Sequence, residues 1–230
     1  MATSSRPVAL ITGASAGIGV ALAREAANHG HDLVLVARRR EPMEALAAEL
    51  KSMGAEITVI PADLSRPGAA AALMKTMEER GLTIDMLINN AGLGDTGRFD
   101  QENPERILSM LQVNIVALTE LTRLVLPQMV ARKHGKVMLL ASTAAFQPGP
   151  GMAVYYATKS YVLSFGRAIG QELRGTGVKI TAPKAVLFVL LAVLHHTPND
   201  EFGKSDYQIF EARILFLASF EFERFARRVD

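Results

Sequence analysis

Thr12-Gly13-Ala14-Ser15-Ala16-Gly17-Ile18-Gly19 is a glycine-rich turn set between two different periodicities. Before it, Val8 to Thr12 is a short aliphatic run of the kind that forms a strand buried on both faces. After it, Gly17 to His29 places Ile18, Leu22 and Ala26 on one helical face, and Gly30 follows where a left-handed cap is wanted. The order is strand, tight turn, helix.

The alternation continues along the chain. Strands are predicted at Leu33 to Val36, Ile57 to Ile60, Met86 to Ile88, Lys136 to Leu140 and Val178 to Thr181. Between them lie helices from Pro42 to Gly54, from about Pro67 to Arg80, from about Pro104 to Arg132 and from about Met152 to Arg174. Pro127 is expected to bend or end the third of these, because proline lacks the amide proton a helix interior uses. Strands joined by helical crossovers predict an α/β fold: a doubly wound parallel sheet of the Rossmann type, in three layers with helices on both faces. A length of 230 residues favours a single domain, with a Rossmann core over 1–181 and a divergent segment over 182–230.

Composition narrows the chemistry. Cysteine is absent, which excludes disulfides, thiolate metal sites and a cysteine nucleophile. The net charge of +2 comes from scattered acids and bases, so no nucleic-acid surface is expected. Met1 to Arg6 lacks the regions of a signal peptide, and the apolar run Ala185 to Leu194 is about half the length that crosses a bilayer. These features predict a cytoplasmic protein without a membrane partner. His195 and His196 have neither a paired acid nor metal-ligand spacing, and the 10 methionines read as core filler.

A glycine turn between the first strand and first helix of such a sheet is where a dinucleotide is held. Gly13 permits the turn, Gly17 allows close approach of a pyrophosphate, and Gly19 lets helix and strand pack, while the helix amino terminus offers amide donors from Ile18 onward. About 20 residues further on, an acid would bind the ribose of NAD. Ala37 and Arg38 stand there instead, followed by Arg39 and Arg40. Guanidinium groups suit a 2′-phosphate and favour NADP over NAD, although Glu41 stays open as a ribose ligand.

The form T-G-x-x-x-G-x-G resembles the short-chain dehydrogenase/reductase family, and further segments over residues 6–181 match that family in order. The resemblance implies that Arg38 binds the 2′-phosphate with Ser15 as a second contact, and that Asp63 and Leu64 contact the adenine. It also implies that Asn89-Asn90-Ala91-Gly92 stabilises the sheet and borders the cofactor.

Tyr155 and Lys159 are four residues apart on a predicted helix and so share a face, where an ammonium is expected to lower the tyrosine pKa. Ser142 ends the fifth strand, at the carboxyl edge where these folds place ligands. By the family resemblance, Tyr155 is the general acid/base, Lys159 also binds the nicotinamide ribose, Ser142 orients a carbonyl, and Asn114 supports a proton relay through a water. The implied reaction interconverts a ketone or aldehyde and an alcohol, and the implied assembly is a homodimer or homotetramer.

The resemblance stops near Ala182. Ile180-Thr181-Ala182-Pro183-Lys184 lacks the Pro-Gly that covers the nicotinamide in the family, and Gln208 to Ala226 is read as a helix of no family pattern. A divergent tail, a reading-frame change and a degenerate protein are all consistent with that. The alternative functions are accordingly an impaired NADP-binding protein and, from the extended family, a sugar-nucleotide epimerase.

Overall fold

A computed structural model describes residues 6–185 together with Phe222, Glu223 and Phe225. The first half alternates β1 (Val8–Thr12), α1 (Gly17–Asn28), β2 (Asp32–Ala37), α2 (Arg40–Lys51), β3 (Ile57–Pro61), α3 (Ala69–Glu79) and β4 (Met86–Asn89). The second continues with α4 (Pro104–Leu111), α5 (Leu118–Ala131), β5 (Gly135–Leu139), β6 (Ala141–Ser142), α6 (Ala153–Glu172), β7 (Val178–Thr181) and β8 (Lys184–Ala185). Six parallel strands lie in the order β3-β2-β1-β4-β5-β7, the doubly wound Rossmann arrangement that the sequence predicts. The order reverses between β1 and β4, with Ile11 in register with Ile88.

Alternate residues of each strand face opposite sides of the sheet, which creates two cores. On one side Ala9, Ile11, Leu33, Leu35 and Met86 pack under α1 and α2. On the other, Leu10, Val34, Leu87, Val137 and Leu139 pack under α3, α5 and α6. Six methionines, Met43, Met77, Met86, Met110, Met129 and Met138, are almost wholly buried, in keeping with their reading as core filler.

The long helix differs from expectation in two ways. Pro127 sits inside α5 without ending it, and the departure from α-geometry falls earlier, as a π-helical turn at Gln112–Ala117 that contains Asn114. Such insertions are frequent at functional sites. Helix α2 also begins at Arg40, two residues before the expected Pro42, so Arg40 belongs to its first turn and pairs with Glu44 at 3.1 Å. By length and composition, Pro104–Ala131 is apolar enough to cross a membrane; here Val113, Ala117, Leu121, Val125 and Met129 of that stretch are buried in the second core.

Past the expected end of the core, β8 pairs in parallel with β6, which holds Ser142. Phe222, Glu223 and Phe225 are helical, as expected within Gln208 to Ala226, and both phenylalanines are buried in the α1 face of the core. The rest of that expected helix, most of the apolar run before Leu194, and His195 and His196 lie outside the described residues.

Candidate active site

Where β1 ends, the turn is shaped by what lies against it. Gly13 has φ +69°, and a Cβ there would stand 2.7 Å from Asn90 Nδ2. At Gly19 a Cβ would collide with the Gly13 carbonyl oxygen, so helix and turn approach to a distance that glycine alone allows. Thr12 and Asn90 lace β1 to β4 at the switch point. The Thr12 hydroxyl accepts from the amides of Asn90 at 3.1 Å and Ala91 at 3.0 Å. Asn90 Nδ2 in turn donates to the Thr12 carbonyl at 2.8 Å.

The cofactor residues expected from the sequence, from Gly13 through Arg38, Asp63 and Leu64 to Gly92, line one cleft of about 390 Å³. Helix α1 opens onto it with Ala16 at the N-cap, which makes no side-chain cap hydrogen bond, and its first turn carries no acid. Its leading amides therefore keep their donor capacity and partial positive charge for an anion, so the turn fits a pyrophosphate. At the far end Arg38 and Arg39 both border the cleft, and Arg39 Nη2 donates to the Ser15 carbonyl at 3.3 Å. Asp63 is held below the usual carboxylate range, first by hydrogen bonds from Ser65 and then by the charges of Arg38 and Arg66. Glu41 is exposed on α2, and the cleft wall at this end is formed by the arginines before it.

Asn114, Ser142, Tyr155 and Lys159 converge at the opposite end, and all four are buried. A Cβ at Gly92 would lie 3.5 Å from Asn114 Oδ1 and 3.6 Å from Lys159 Nζ, which places that glycine between them. Lys159 Nζ donates to the Leu140 carbonyl at 2.8 Å, so the residue that links β5 to β6, two before Ser142, anchors the lysine. Ser142 Oγ accepts from the Ala144 amide at 3.2 Å. Asn114 Oδ1 accepts from the Leu93 amide at 2.8 Å, and its Nδ2 donates to the Leu93 carbonyl at 2.8 Å and to Thr158 Oγ1 at 3.0 Å. Its side chain thus braces the loop after β4.

The electrostatics correct one expectation. Burial pushes Tyr155 up to about 12, with a hydrogen bond involving Ser142 pulling the other way, and burial lowers Lys159 to about 8. The expected lowering of the tyrosine by its neighbour is absent because desolvation of the phenolate outweighs an ammonium 5.8 Å from the ring centroid. The neutral phenol is the stable form, which suits a proton donor.

A family model described as short chain dehydrogenase matches residues 7–187. The chain belongs to the short-chain dehydrogenase family. Among relatives of this family it is similar to Oxidoreductase UcpA of Escherichia coli K12, at 36% identity over 76% of this chain and 66% of that one. It is also similar to the NADP-dependent 3-hydroxy acid dehydrogenase YdfG of Salmonella typhi, at 34% identity over 76% of this chain and 69% of that one. A solved short-chain dehydrogenase from Sphingobium yanoikuyae, in complex with NADPH, superposes with a TM-score of 0.72 at 40% identity, covering 76% of this chain and 69% of that one. The match with UcpA spans just under two thirds of that protein's length.

Two residues around this family site escape a reading of the sequence. Leu93 and Thr158 each hold Asn114 in place through the hydrogen bonds above, and Thr158 also donates to the Tyr155 carbonyl at 2.7 Å. A signal existed for Thr158, a hydroxyl residue beside the lysine on a helix where such side chains back-bond to the preceding turn. For Leu93 there was none, because it acts through its backbone. Among the described residues no group of acids and histidines could hold a metal ion.

Proposed function

We propose that the chain is an NADP-dependent oxidoreductase that interconverts a ketone or aldehyde and an alcohol. The observation that carries this reading is the burial of Tyr155, Ser142 and Lys159 together beside Gly92, where the cofactor cleft ends. Arg38 and Arg39 suit the 2′-phosphate, the amide turn at α1 suits the pyrophosphate, and Gly92 with Lys159 borders the place of the nicotinamide ribose. The NADPH complex of the Sphingobium yanoikuyae relative and the NADP dependence in the name of the Salmonella typhi relative support the cofactor choice.

When bound, NADPH supplies the hydride. Tyr155 supplies the proton: its phenol, neutral at any ordinary pH, donates to the carbonyl oxygen as charge develops there. Ser142, whose hydroxyl lowers the tyrosine against the effect of burial, orients that oxygen from beside Tyr155. Lys159, still largely an ammonium at neutral pH, stabilises the phenolate left behind. Asn114 holds the loop after β4 against this group through Leu93. NADPH oxidation followed by absorbance on addition of para-nitrobenzaldehyde or a ketone panel tests the reading, and no consumption above a no-enzyme control would overturn it.

One observation favours a second reading, cofactor binding with impaired turnover. Tyr155 is 1% exposed and does not line the cofactor cleft, so its hydroxyl is closed to an incoming carbonyl compound in this structure. Tight NADPH binding without turnover across the same panel would select this reading over the first.

A homodimer or homotetramer is also proposed. Leu108, Val116 and Leu124 are exposed apolar residues along the Pro104 to Ala131 stretch. A second copy of the chain would remove them from water.

A further inference from the structure

Thr158 is 0% exposed and lies on α6 between Tyr155 and Lys159, yet it faces neither solvent nor the cofactor cleft. Its hydroxyl proton goes to the Tyr155 carbonyl at 2.7 Å, a local bond that many helical threonines make. Less ordinary is the use of the same oxygen as acceptor for Asn114 Nδ2 at 3.0 Å, across 44 residues of sequence. The Asn114 amide is bonded twice more, to both backbone groups of Leu93 at 2.8 Å. One residue further, Gly94 lies on the Tyr155 ring itself: a Cβ there would be 3.4 Å from Tyr155 Cδ2. The connections close a circuit from the backbone of Tyr155 through Thr158, Asn114 and Leu93 to the face of the Tyr155 ring.

We propose that Thr158 is a positioning residue, which fixes the Tyr155 phenol relative to the loop after β4 by coupling Asn114 to the Tyr155 backbone. This rests on the reading of Tyr155 as proton donor. The Asn114 amide protons and the Thr158 hydroxyl proton are all committed, so loss of the Thr158 hydroxyl leaves Asn114 Nδ2 with one acceptor fewer in a buried site. The loop and the ring are then free to shift against each other. A shift of a fraction of an ångström at the reacting oxygen affects turnover and leaves the adenosine end of the cofactor cleft, on the far side of Gly92, unchanged.

The test compares Thr158→Val, which keeps shape and removes the hydroxyl, with Thr158→Ser, which keeps the hydroxyl, using NADPH and para-nitrobenzaldehyde with the full chain. Thr158→Val is expected to lower kcat on the order of tenfold to a hundredfold. NADPH affinity by fluorescence titration and KM for the aldehyde should change by less than about threefold, and Thr158→Ser should recover most of the lost kcat. Equal turnover of Thr158→Val and wild type would overturn the proposal, as would a Thr158→Ser variant as impaired as Thr158→Val, since packing alone would then explain the loss. Tyr155→Phe in parallel separates the two levels of argument. Turnover absent from the wild type would overturn the oxidoreductase reading and the Thr158 proposal with it; turnover retained in Tyr155→Phe would overturn Tyr155 as the proton donor and, with it, the Thr158 proposal; turnover lost in Tyr155→Phe but intact in Thr158→Val would overturn the Thr158 proposal alone.

Discussion

Lys159 Nζ stands 5.8 Å from the centroid of the Tyr155 ring and is itself held by the Leu140 carbonyl at 2.8 Å. With burial setting the lysine at about 8 and the tyrosine at about 12, the group that titrates near physiological pH is the lysine. Below that value the ammonium is present, and above it the charge is lost. Reduction, measured as kcat/KM, is therefore expected to be level at lower pH and to fall as pH rises through about 8. A profile flat through that region would remove Lys159 from the role given to it.

Arg38 borders the adenosine end of the cleft, whereas Arg40, two residues on, is occupied by Glu44 at 3.1 Å. Arg38→Ala should weaken NADPH binding by about 1.5–3 kcal/mol, the usual worth of a hydrogen bond to a charged group, and leave NADH binding unchanged. Arg40→Ala should alter neither. Fluorescence titration of both nucleotides checks this, and equal losses for NADPH and NADH would contradict the 2′-phosphate assignment.

Tyr155 and Tyr156 are sequence neighbours with ring centroids 6.2 Å apart, but they face different surroundings. Tyr155 meets Gly94 and Ser142, while the Tyr156 ring is packed against Gly149 so closely that a Cβ there would collide with it. Tyr155→Phe is expected to cut kcat by about a hundredfold or more with little effect on NADPH affinity. Tyr156→Phe should keep most turnover, and comparable losses would mean that the proton comes from the wrong tyrosine.

Phe222 is 0% exposed and its ring centroid lies 5.0 Å from that of His29, at the end of α1. Truncating it to alanine removes a wholly buried aromatic side chain and should destabilise the fold by about 3–5 kcal/mol in urea unfolding. A change below about 1 kcal/mol would show that the carboxy-terminal residues contribute little to this core.

Leu108 is 65% exposed and Leu124 40% exposed on the stretch proposed to meet a second copy. Light scattering of the wild type at micromolar concentration is expected to give a dimer or tetramer mass, and Leu108→Asp should shift it toward the monomer. A monomeric wild type would remove the oligomer from the proposed function.

Much of the architecture was legible because its causes are local. Aliphatic runs alternating with helical periodicity mark the strands of the six-stranded sheet to within a residue or two, and Gly13 and Gly19 mark the turn because a side chain at either would strike neighbouring backbone. The cleft residues were legible through motifs at strand ends, since the parallel sheet brings all those ends to one edge. The π-helical turn at Asn114 was not, because it reflects packing of the helix against the Leu93 loop and not helix propensity.

The sequence by itself determined the succession of strands and helices along the chain and the residue types available to the chemistry, because spacing along the chain dictates which side chains share a face or a turn. Tertiary structure alone decided that Thr158 reaches Asn114 across 44 residues and that Phe222 and Phe225 close the α1 face of the core. It alone also decided that burial brings Lys159 down to about 8 and pushes Tyr155 up to about 12. Desolvation and long-range contact depend on what surrounds a group in space, and no pattern of neighbours along the chain specifies that.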